Sequence, residues 1–467
     1  MISLVRNIKK HLRKLHGKTD RELATDFDIY PRSSLYKFCN YIGQHLRIYI
    51  LTPHVEVVGN CADEIYNGFL KARREGRKLH IVWPYRIPGV LKYRLPNVEV
   101  VNLESSYRAY AYNSPVTIVS RVLITAYFVF FRAVSLMRSM LFGVHLNNVY
   151  RNPIVGVPTL WNPEFVKEFS WDIVDSYDWA KQWEEPVPIW LHEHKRKKAE
   201  LIREQMGLPR DAWYVCLHVR EGGFHGDGNK YPERNADIAN YIEGIKEITA
   251  MGGWVVRLGD ASMTRLPEMD NVIDYPFTKF KSKLMDVYLI SECRLYIGMI
   301  SGIYSVAELL QRPLLTTNLN NWVSVYPPKE NDFAILRKVY SRSRGRFLSI
   351  KEWMEEPWEA ISWSHPIGED YIFYENSSGE IRSAINYSLK HGNKNRSCLQ
   401  QQFSEHRLAC GKNLLDQVLF SENDVQDYYK KNVHDFDLTE RYRIAAHLVS
   451  ARGRIPESFL ERYWDPQ

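Results

Sequence analysis

The sequence predicts an α/β fold with two parallel, doubly wound sheets. In both halves of the chain, short apolar runs typical of buried strands alternate with segments of helical periodicity, as in parallel sheets with crossover helices. The 467 residues are 45% hydrophobic and 13% aromatic, enough for two to three domains with buried cores. Several strands of the second half end in glycine or polar turns, where such folds bind ligands.

The second half of the chain supplies the most regular series of elements. The predicted order is a strand at 213–221, a helix at 236–251, strands at 254–260 and 272–275, a helix at 284–292, a strand at 295–299, a helix at 303–311 and a strand at 314–317. Parallel strands end on one edge of a sheet. The polar turns at 218–221, 259–260, 301–302 and 318 are therefore expected to converge.

The first half has a similar, Rossmann-like opening. Its predicted elements are a strand at 55–60, a helix at 63–75 and strands at 79–83 and 97–101. The turn at 59–63 lacks the Gly-x-Gly-x-x-Gly pattern of dinucleotide sites, which disfavours a dehydrogenase or an epimerase of that kind. The predicted domains are a basic amphipathic helix at 1–27, an amino-terminal Rossmann-like domain at 28–200, a carboxyl-terminal one at 201–390 and a helical tail at 391–467.

The net charge indicates the class of ligand, and the cysteine pattern indicates the redox compartment. The formal net charge of +7 is modest for this length. It suits an anionic small ligand or a membrane surface better than a nucleic acid, for which the sequence carries no motif. The six cysteines are scattered and form no Cys-x-x-Cys pair. A reducing compartment and no structural zinc are therefore expected.

Two segments bear on membrane contact. In residues 1–21, apolar side chains recur every three or four positions and Lys and Arg occupy many of the remaining positions. This pattern is typical of an amphipathic helix that either lies on anionic lipid or packs on its own domain. No long apolar run or cleavage site follows, so no signal peptide is expected. Residues 122–137 are apolar but too short to span a bilayer, and they include Arg132. A buried helix is the preferred interpretation, and a helix dipping into one leaflet is the second.

The strand at 213–221 ends in side chains suited to an anionic ligand. His218 and Arg220 follow an apolar run, and Gly222 and Gly223 come directly after Glu221. The arginine fork matches phosphate oxygens, and glycine lets a bound group approach the backbone. The alternative interpretation makes His218 a satisfied core histidine and Arg220 a surface ion-pair partner.

Three segments of this half carry a resemblance to a known family. The His-x-Arg end at 216–220, the strand at 256–260 and the segment at 291–308 resemble the motifs of a fucosyltransferase group, which includes the α-1,6- and protein O-fucosyltransferases. The whole run 213–322 is also similar to a family of bacterial glycosyltransferases encoded with surface-polysaccharide genes. The chain departs from the fucosyltransferases at 221–223, where Glu-Gly-Gly replaces an Arg-x-Asp type continuation.

The resemblance implies a glycosyltransferase of GT-B architecture, with two Rossmann-like domains facing a central cleft. Its donor would be a nucleotide sugar, acting as co-substrate with no further cofactor, and the departure at 221–223 leaves GDP, UDP and dTDP sugars open. The acceptor would be a glycan or lipid-linked oligosaccharide in bacterial surface-polysaccharide synthesis. The protein would be cytoplasmic, or peripheral on the inner face of the membrane.

Site roles follow from the need to stabilise a leaving nucleoside diphosphate. Arg220 would hold the diphosphate bidentately, and His218 would orient it or donate a hydrogen bond. The start of the helix at 303–311 would add backbone amides and its positive dipole end. The remaining residues expected around the nucleotide are Gly222, Gly259, Asp260, Ser301, Gly302, Ser305 and Glu308. Asp260 would face the nucleoside, and Glu308 would either reach the ribose or solvate its helix.

Inverting transfer also requires a general base for the acceptor hydroxyl. Glu221, His225 and Asp227 are the candidates, because all three lie in the loop after Arg220, and the sequence does not choose among them. Asp227, between two glycines, could equally shape a turn. No metal is expected, because the two Asp-x-Asp pairs, at 26–28 and 435–437, lie outside the predicted cleft. The competing hypothesis is a non-catalytic nucleotide- or glycan-binding protein of the same fold.

Overall fold

The computed structural model describes residues 41–53, 57–88, 97–142, 187–223, 234–320, 322, 326–356, 370–392, 395–418 and 451–465. These residues belong to two compact units. The first unit holds the described residues up to 142, and the second holds those from 187 onward. The domain limits expected from the sequence stay predictions.

The first unit is built on a two-stranded parallel sheet, in which β1 (Ile48–Leu51) pairs with β2 (Lys78–Ile81). Helix α1 (Val58–Arg74) connects the two strands, and its Ile65 and Phe69 are fully buried. Gly68 of this helix lies so close to Leu79 that a Cβ atom there would be 3.0 Å from the leucine methyl groups. The unit continues with α2 (Val98–Val101), β3 (Glu104–Ser105) and α3 (Pro115–Phe142).

Two strands expected in this unit are wrong. The first strand is Ile48–Leu51 rather than 55–60, and the chain is already helical from Val58. The apolar run at 48–51 is mostly buried in the core, whereas Val57 is 41% exposed. The segment 97–101 is a single helical turn, because the Asn97 side chain accepts a hydrogen bond from the backbone N–H of Glu99 at 2.9 Å. That cap outweighs the strand preference of the valines.

The helix expected around 122–137 exists but is not buried all round. It is part of α3, and its Ile124 and Phe128 are buried in a cluster with Val82, against which the half-buried Tyr127 and Val129 also pack. Val122 and Leu123 are 53% and 64% exposed. Within the described residues, no helix combines the length and apolar character needed to cross a bilayer. The basic segment 1–21 lies outside the described residues.

The second unit contains a six-stranded, fully parallel sheet, which confirms the predicted α/β class. Its strand order is β10-β9-β8-β5-β6-β7. The strands are β5 (Tyr214–His218), β6 (Trp254–Arg257), β7 (Val272–Asp274), β8 (Leu295–Gly298), β9 (Leu314–Leu319) and β10 (Phe333–Leu336). The crossover helices are α5 (Ile242–Ala250), α6 (Lys283–Glu292) and α7 (Gly302–Leu309). All the strands and helices expected between 213 and 317 are confirmed, with shifts of a few residues at their ends.

The order of the strands creates a switch point between β5 and β8. From β5 the chain moves outward through β6 and β7, and then returns to build β8, β9 and β10 on the other side of β5. The connections that leave the carboxyl ends of β5 and β8 therefore diverge. In open parallel sheets the crevice left at such a point is where ligands bind.

Helices cover both faces of this sheet. Val215 and Leu217 of β5 belong to the core formed with Ile245 of α5 and Ile385 of α9 (Ser378–His391). The alternate residue Tyr214 points to the opposite face, where its hydroxyl donates to the Leu289 carbonyl of α6 at 2.9 Å. Helix α4 (Glu193–Gln205), which follows β4 (Ile189–Trp190), packs against α6 on that face.

The chain after β10 adds a small antiparallel sheet and further helices. Strand β11 (Lys338–Ser341) lies between β12 (Arg346–Phe347) and β13 (Tyr371–Tyr374). The helices are α8 (Ile350–Glu355), α9, α10 (Cys398–Val418) and α11 (Glu457–Tyr463). Residues of α8, α9, α10 and α11 extend the main hydrophobic core. The expected helical tail at 391–467 stays a prediction.

Candidate functional site

His218 and Ser301 meet at the switch point. His218 is the last residue of β5, and Ser301 precedes α7 in the turn after β8. The Ser301 Oγ lies 3.3 Å from His218 Nδ1, and this hydroxyl makes no side-chain cap on its own helix. Gly298 permits the contact, because a Cβ atom there would be 2.7 Å from the His218 carbonyl oxygen. Two residues 83 positions apart are thus brought together where a ligand is expected.

The His218 imidazole is neutral at physiological pH. Burial, and then the nearby Arg257 guanidinium, lower its pKa to about 3. Lys281 and Arg220 also contribute to the lowering of this pKa, whereas the Asp260 carboxylate acts to raise it. A neutral imidazole has one donor and one acceptor nitrogen. Ser301 occupies Nδ1, so the tautomer with its proton on Nε2 can donate to a ligand oxygen.

The amino terminus of α7 supplies backbone donors beside this pair. Ser301 is in an extended conformation, with φ −156° and ψ 169°, and Gly302 begins the helix. The first N–H groups of a helix have no acceptor within it and carry the positive end of the helix dipole. Gly302, Ser305 and Glu308 are all half-buried on this helix. The structure therefore places Ser301 and Gly302 beside His218, as expected, and Ser305 and Glu308 farther along the helix.

Arg220 is buried and linked to a second arginine. Its Nη1 donates to the Asn235 side-chain oxygen, and the Asn235 carbonyl accepts from Nη2 of Arg337. The Arg337 Nε donates to the carbonyl of Asn318, at the end of β9, at 3.4 Å. Asn318 has a φ of +52° and exchanges two backbone-to-side-chain hydrogen bonds of 2.7 Å with Asn376. Arg220 therefore belongs to a polar network that spans the carboxyl ends of β5 and β9.

Glu221 is held by the neighbouring strand. Its Oε1 accepts from Nη2 of the fully buried Arg257 at 2.8 Å. Its Oε2 accepts from both the backbone N–H and the hydroxyl of Thr264 at 2.9 Å. Arg257 also bonds Asp274 of β7 at 3.2 Å, and the other Asp274 oxygen accepts from the Leu266 N–H. The arginine thus ties the loop after β5 to the loop after β6.

The glycines near this clamp allow close approaches of the backbone. Gly259 has a φ of +142°, and a Cβ atom there would lie 2.1 Å from the Met263 sulfur. A Cβ atom on Gly223 would be 2.8 Å from the Ser262 hydroxyl. The Asp260 Oδ1 accepts from the Ser262 N–H at 2.8 Å. Asp260 therefore shapes the turn, and its expected role facing a nucleoside stays a prediction, as does that of Gly222.

Two expected site residues, His225 and Asp227, lie outside the described residues. The two Asp-x-Asp pairs at 26–28 and 435–437, which were not expected in the cleft, also lie outside them. Among the residues that the structure describes, no cluster of three or more His, Cys, Asp or Glu side chains could hold a metal ion. The metal-free expectation stays a prediction.

The sequence interpretation missed Arg257, Asn235 and Arg337. Arg257 ends an otherwise apolar strand, and Asp274 is its register partner on β7. A charge at that position was a visible signal, because a buried guanidinium needs carboxylate partners. Asn235 and Arg337 carried no comparable signal, since their partners are distant in sequence.

Comparisons with known proteins give weak structural likenesses. No family model and no curated protein matches the sequence. The chain is similar to a glycosyl transferase of family 9 from Veillonella parvula, with 12% identity, a TM-score of 0.34, and 62% of this chain and 84% of that chain covered. For the ADP-heptose lps heptosyltransferase II of E. coli, the identity is 15%, the TM-score 0.29 and the coverage 62% and 90%. For a UDP-GlcNAc 2-epimerase of Methanocaldococcus jannaschii, the identity is 14% and the TM-score 0.21, with 64% of this chain and 66% of that chain covered. Likenesses this weak assign neither a family nor an activity to this chain, and the fucosyltransferase resemblance stays a prediction.

Proposed function

We propose that the protein is a glycosyltransferase that uses a nucleotide-sugar donor. The observation that carries this proposal is the 3.3 Å contact between His218 and Ser301 at the switch point, beside the amino terminus of α7. A neutral imidazole N–H, in a ring oriented by the Ser301 hydroxyl, and the helix amides at such a crevice suit the oxygens of a diphosphate. The polar network of Arg220 adds fixed positive charge at the same edge of the sheet.

The proposed mechanism stabilises the departing nucleoside diphosphate as the glycosidic bond breaks. Arg220 and the α7 amides would bear the developing negative charge, and His218 would donate from Nε2 to a phosphate oxygen. His218 is uncharged at neutral pH, because its pKa is lowered to about 3, and it therefore acts as a neutral hydrogen-bond donor. This arrangement would work without a divalent cation at the diphosphate.

The acceptor hydroxyl needs a base if transfer inverts configuration. Glu221 is poorly placed for that role, since both of its oxygens accept hydrogen bonds from Arg257 and Thr264. We therefore propose His225 or Asp227 as the base. Both follow Glu221 within six residues in the sequence.

The proposed partners are a nucleotide sugar and a glycan or lipid-linked oligosaccharide, and the proposed fold class is GT-B. We place the reaction in bacterial surface-polysaccharide synthesis at the inner face of the membrane, where lipid-linked acceptors are presented. The resemblance at 213–322 supports this assignment, and a fucosyl donor is one of the options it leaves open.

Titration calorimetry of the full chain with UDP, GDP, dTDP and ADP tests the site. One of these diphosphates should bind, and Ser301→Ala should weaken that binding by several-fold or more. Ser291→Ala is the matched control, because the Ser291 hydroxyl lies on α6 and donates to the Tyr288 carbonyl of the same helix. Equal binding by both variants would contradict the site. Binding of the intact nucleotide sugar without transfer to any acceptor would indicate the non-catalytic alternative.

A further inference from the structure

Helix α3 has one face fixed against the first unit. Ile124 and Phe128 pack on Val82. The Thr125 hydroxyl accepts from the backbone N–H of Tyr85 at 2.7 Å, and the Arg121 Nε donates to the Trp83 carbonyl at 3.1 Å. These contacts hold the helix in one rotational setting, so its opposite face is defined.

That opposite face is apolar and exposed. We call it the α3 outer face, and its members are Val116, Ile118, Val119, Val122, Leu123 and Phe130, which are 42% to 64% exposed. They make up six of the thirteen large exposed hydrophobic side chains among the described residues, so the exposure is concentrated on this helix. The spacing of three, four and seven residues along 116, 119, 123 and 130 keeps these four positions on one side of the helix. A contiguous patch of this kind marks an interaction surface.

The charge of the segment points to the partner. The sequence contains no Asp or Glu between Glu104 and Glu164. Of the arginines in this interval, Arg108 is buried and Arg121 lies on the covered face of α3, and the remaining three are at 132, 138 and 151. Among the described side chains of 115–130, no exposed position carries an ionisable group. A helix that faces water normally places charged residues on its outer side. An apolar face in a segment that carries only positive charge is instead suited to anionic lipid.

We propose that the α3 outer face docks on an anionic membrane surface, with the helix lying in the plane of the interface. The leucine, valine and phenylalanine side chains enter the boundary between headgroups and acyl chains. The helix does not cross the bilayer, in keeping with the lack of any spanning helix among the described residues. This docking is independent of the proposed transfer reaction. If both hold, the protein works beside lipid-borne acceptors.

Flotation of the full chain with vesicles tests the proposal. Vesicles of phosphatidylcholine with about 30% phosphatidylglycerol should carry the wild-type protein, and pure phosphatidylcholine should carry much less. Leu123→Glu should lower the partition coefficient on the order of tenfold or more, because a leucine leaves the apolar layer and a like charge faces the lipid. Leu201→Glu is the matched control, since Leu201 on α4 is 63% exposed against 64% for Leu123. It should bind like the wild type.

The outcomes separate the possible occupants of this face. Absence of wild-type binding, or equal binding by Leu123→Glu, would overturn the proposal. So would binding that is lost only when residues 1–21 are deleted. A dimer that Leu123→Glu dissociates, with vesicle binding unchanged, would assign the face to a second copy of the chain. Circular dichroism checks that each variant folds, and diphosphate calorimetry without vesicles reports separately on the transfer hypothesis.

Discussion

Replacement of Arg257 by methionine tests the clamp that holds the loops of the candidate site. Arg257 is fully buried and bonds Glu221 at 2.8 Å, Asp274 at 3.2 Å and the Thr264 carbonyl. Methionine fills much of the same volume but leaves the two carboxylates without their shared cation. The loop after β5 should then move away from the carboxyl end of β7, because Glu221 and Asp274 repel each other.

The expected loss of stability follows from the burial of the three groups. Removing one partner of a buried ion pair costs about 3 to 5 kcal/mol, since the remaining charge is left without compensation. The carboxylate side chains of Glu221 and Asp274 are each 20% exposed, so water recovers part of that cost. We therefore expect about 2 to 4 kcal/mol in the free energy of unfolding. The pKa of His218 should also rise, because Arg257 is the second cause of its depression.

Chemical denaturation measures the first effect, and an NMR titration of His218 measures the second. Arg265→Met is the control, because Arg265 is exposed in the same region and stacks on Phe277 at 4.0 Å, a contact worth about 0.5 to 1 kcal/mol. In a double-mutant cycle, Arg257→Met and Glu221→Gln should be less than additive. A cost below about 1 kcal/mol, or full additivity, would refute the clamp.

Three further predictions concern the site and its strand ends. Arg220→Ala should lower single-turnover transfer on the order of 10²-fold or more, with partial rescue by lysine and no effect of EDTA; near-normal transfer would contradict its role. Because the folded pKa of His218 is depressed to about 3, the stability from the neutral imidazole is present above its unfolded value of 6.5 and is lost as pH falls below it. The free energy of unfolding should therefore decrease from about pH 6.5 toward about pH 4, and His218→Gln should flatten that slope in denaturation measured across pH. Gly259→Ala should cost more than about 1 kcal/mol, because its φ is +142° and Met263 occupies the space. Gly379→Ala is the control, because Gly379 lies on α9 with open space around it, and this change should be neutral or stabilising. Thermal melts measure both glycine variants.

Local sequence was sufficient for five of the six strands of the second unit's sheet, whereas β10, in a segment expected to form loops and helices, was not predicted. The five strands are short apolar runs bounded by glycine or polar residues, and α5 has a clear apolar periodicity. Helix α6 is apolar at consecutive positions, so its periodicity is weak. The convergence of His218 and Ser301 followed from the same pattern, because parallel strands must end on one edge. In the first unit, the valine-rich segments at 55–60 and 97–101 could form either strand or helix. The Asn97 cap favoured a helix at 98–101, and the more buried run at 48–51 formed the first strand.

The sequence by itself determined the α/β class, the order of the elements between 213 and 317 and the edge of the sheet where the candidate site lies. Only the tertiary structure decided what Glu221 does, since its partners Arg257 and Thr264 arrive from the next strand and its loop. It also decided which side of α3 is covered, because the buried side carries Thr117, Arg121 and Thr125 while apolar side chains lie on the exposed side, so hydrophobic periodicity does not identify the buried face. Periodicity is a local property of the chain. Charge partners and covered faces depend on which distant segments the fold brings together.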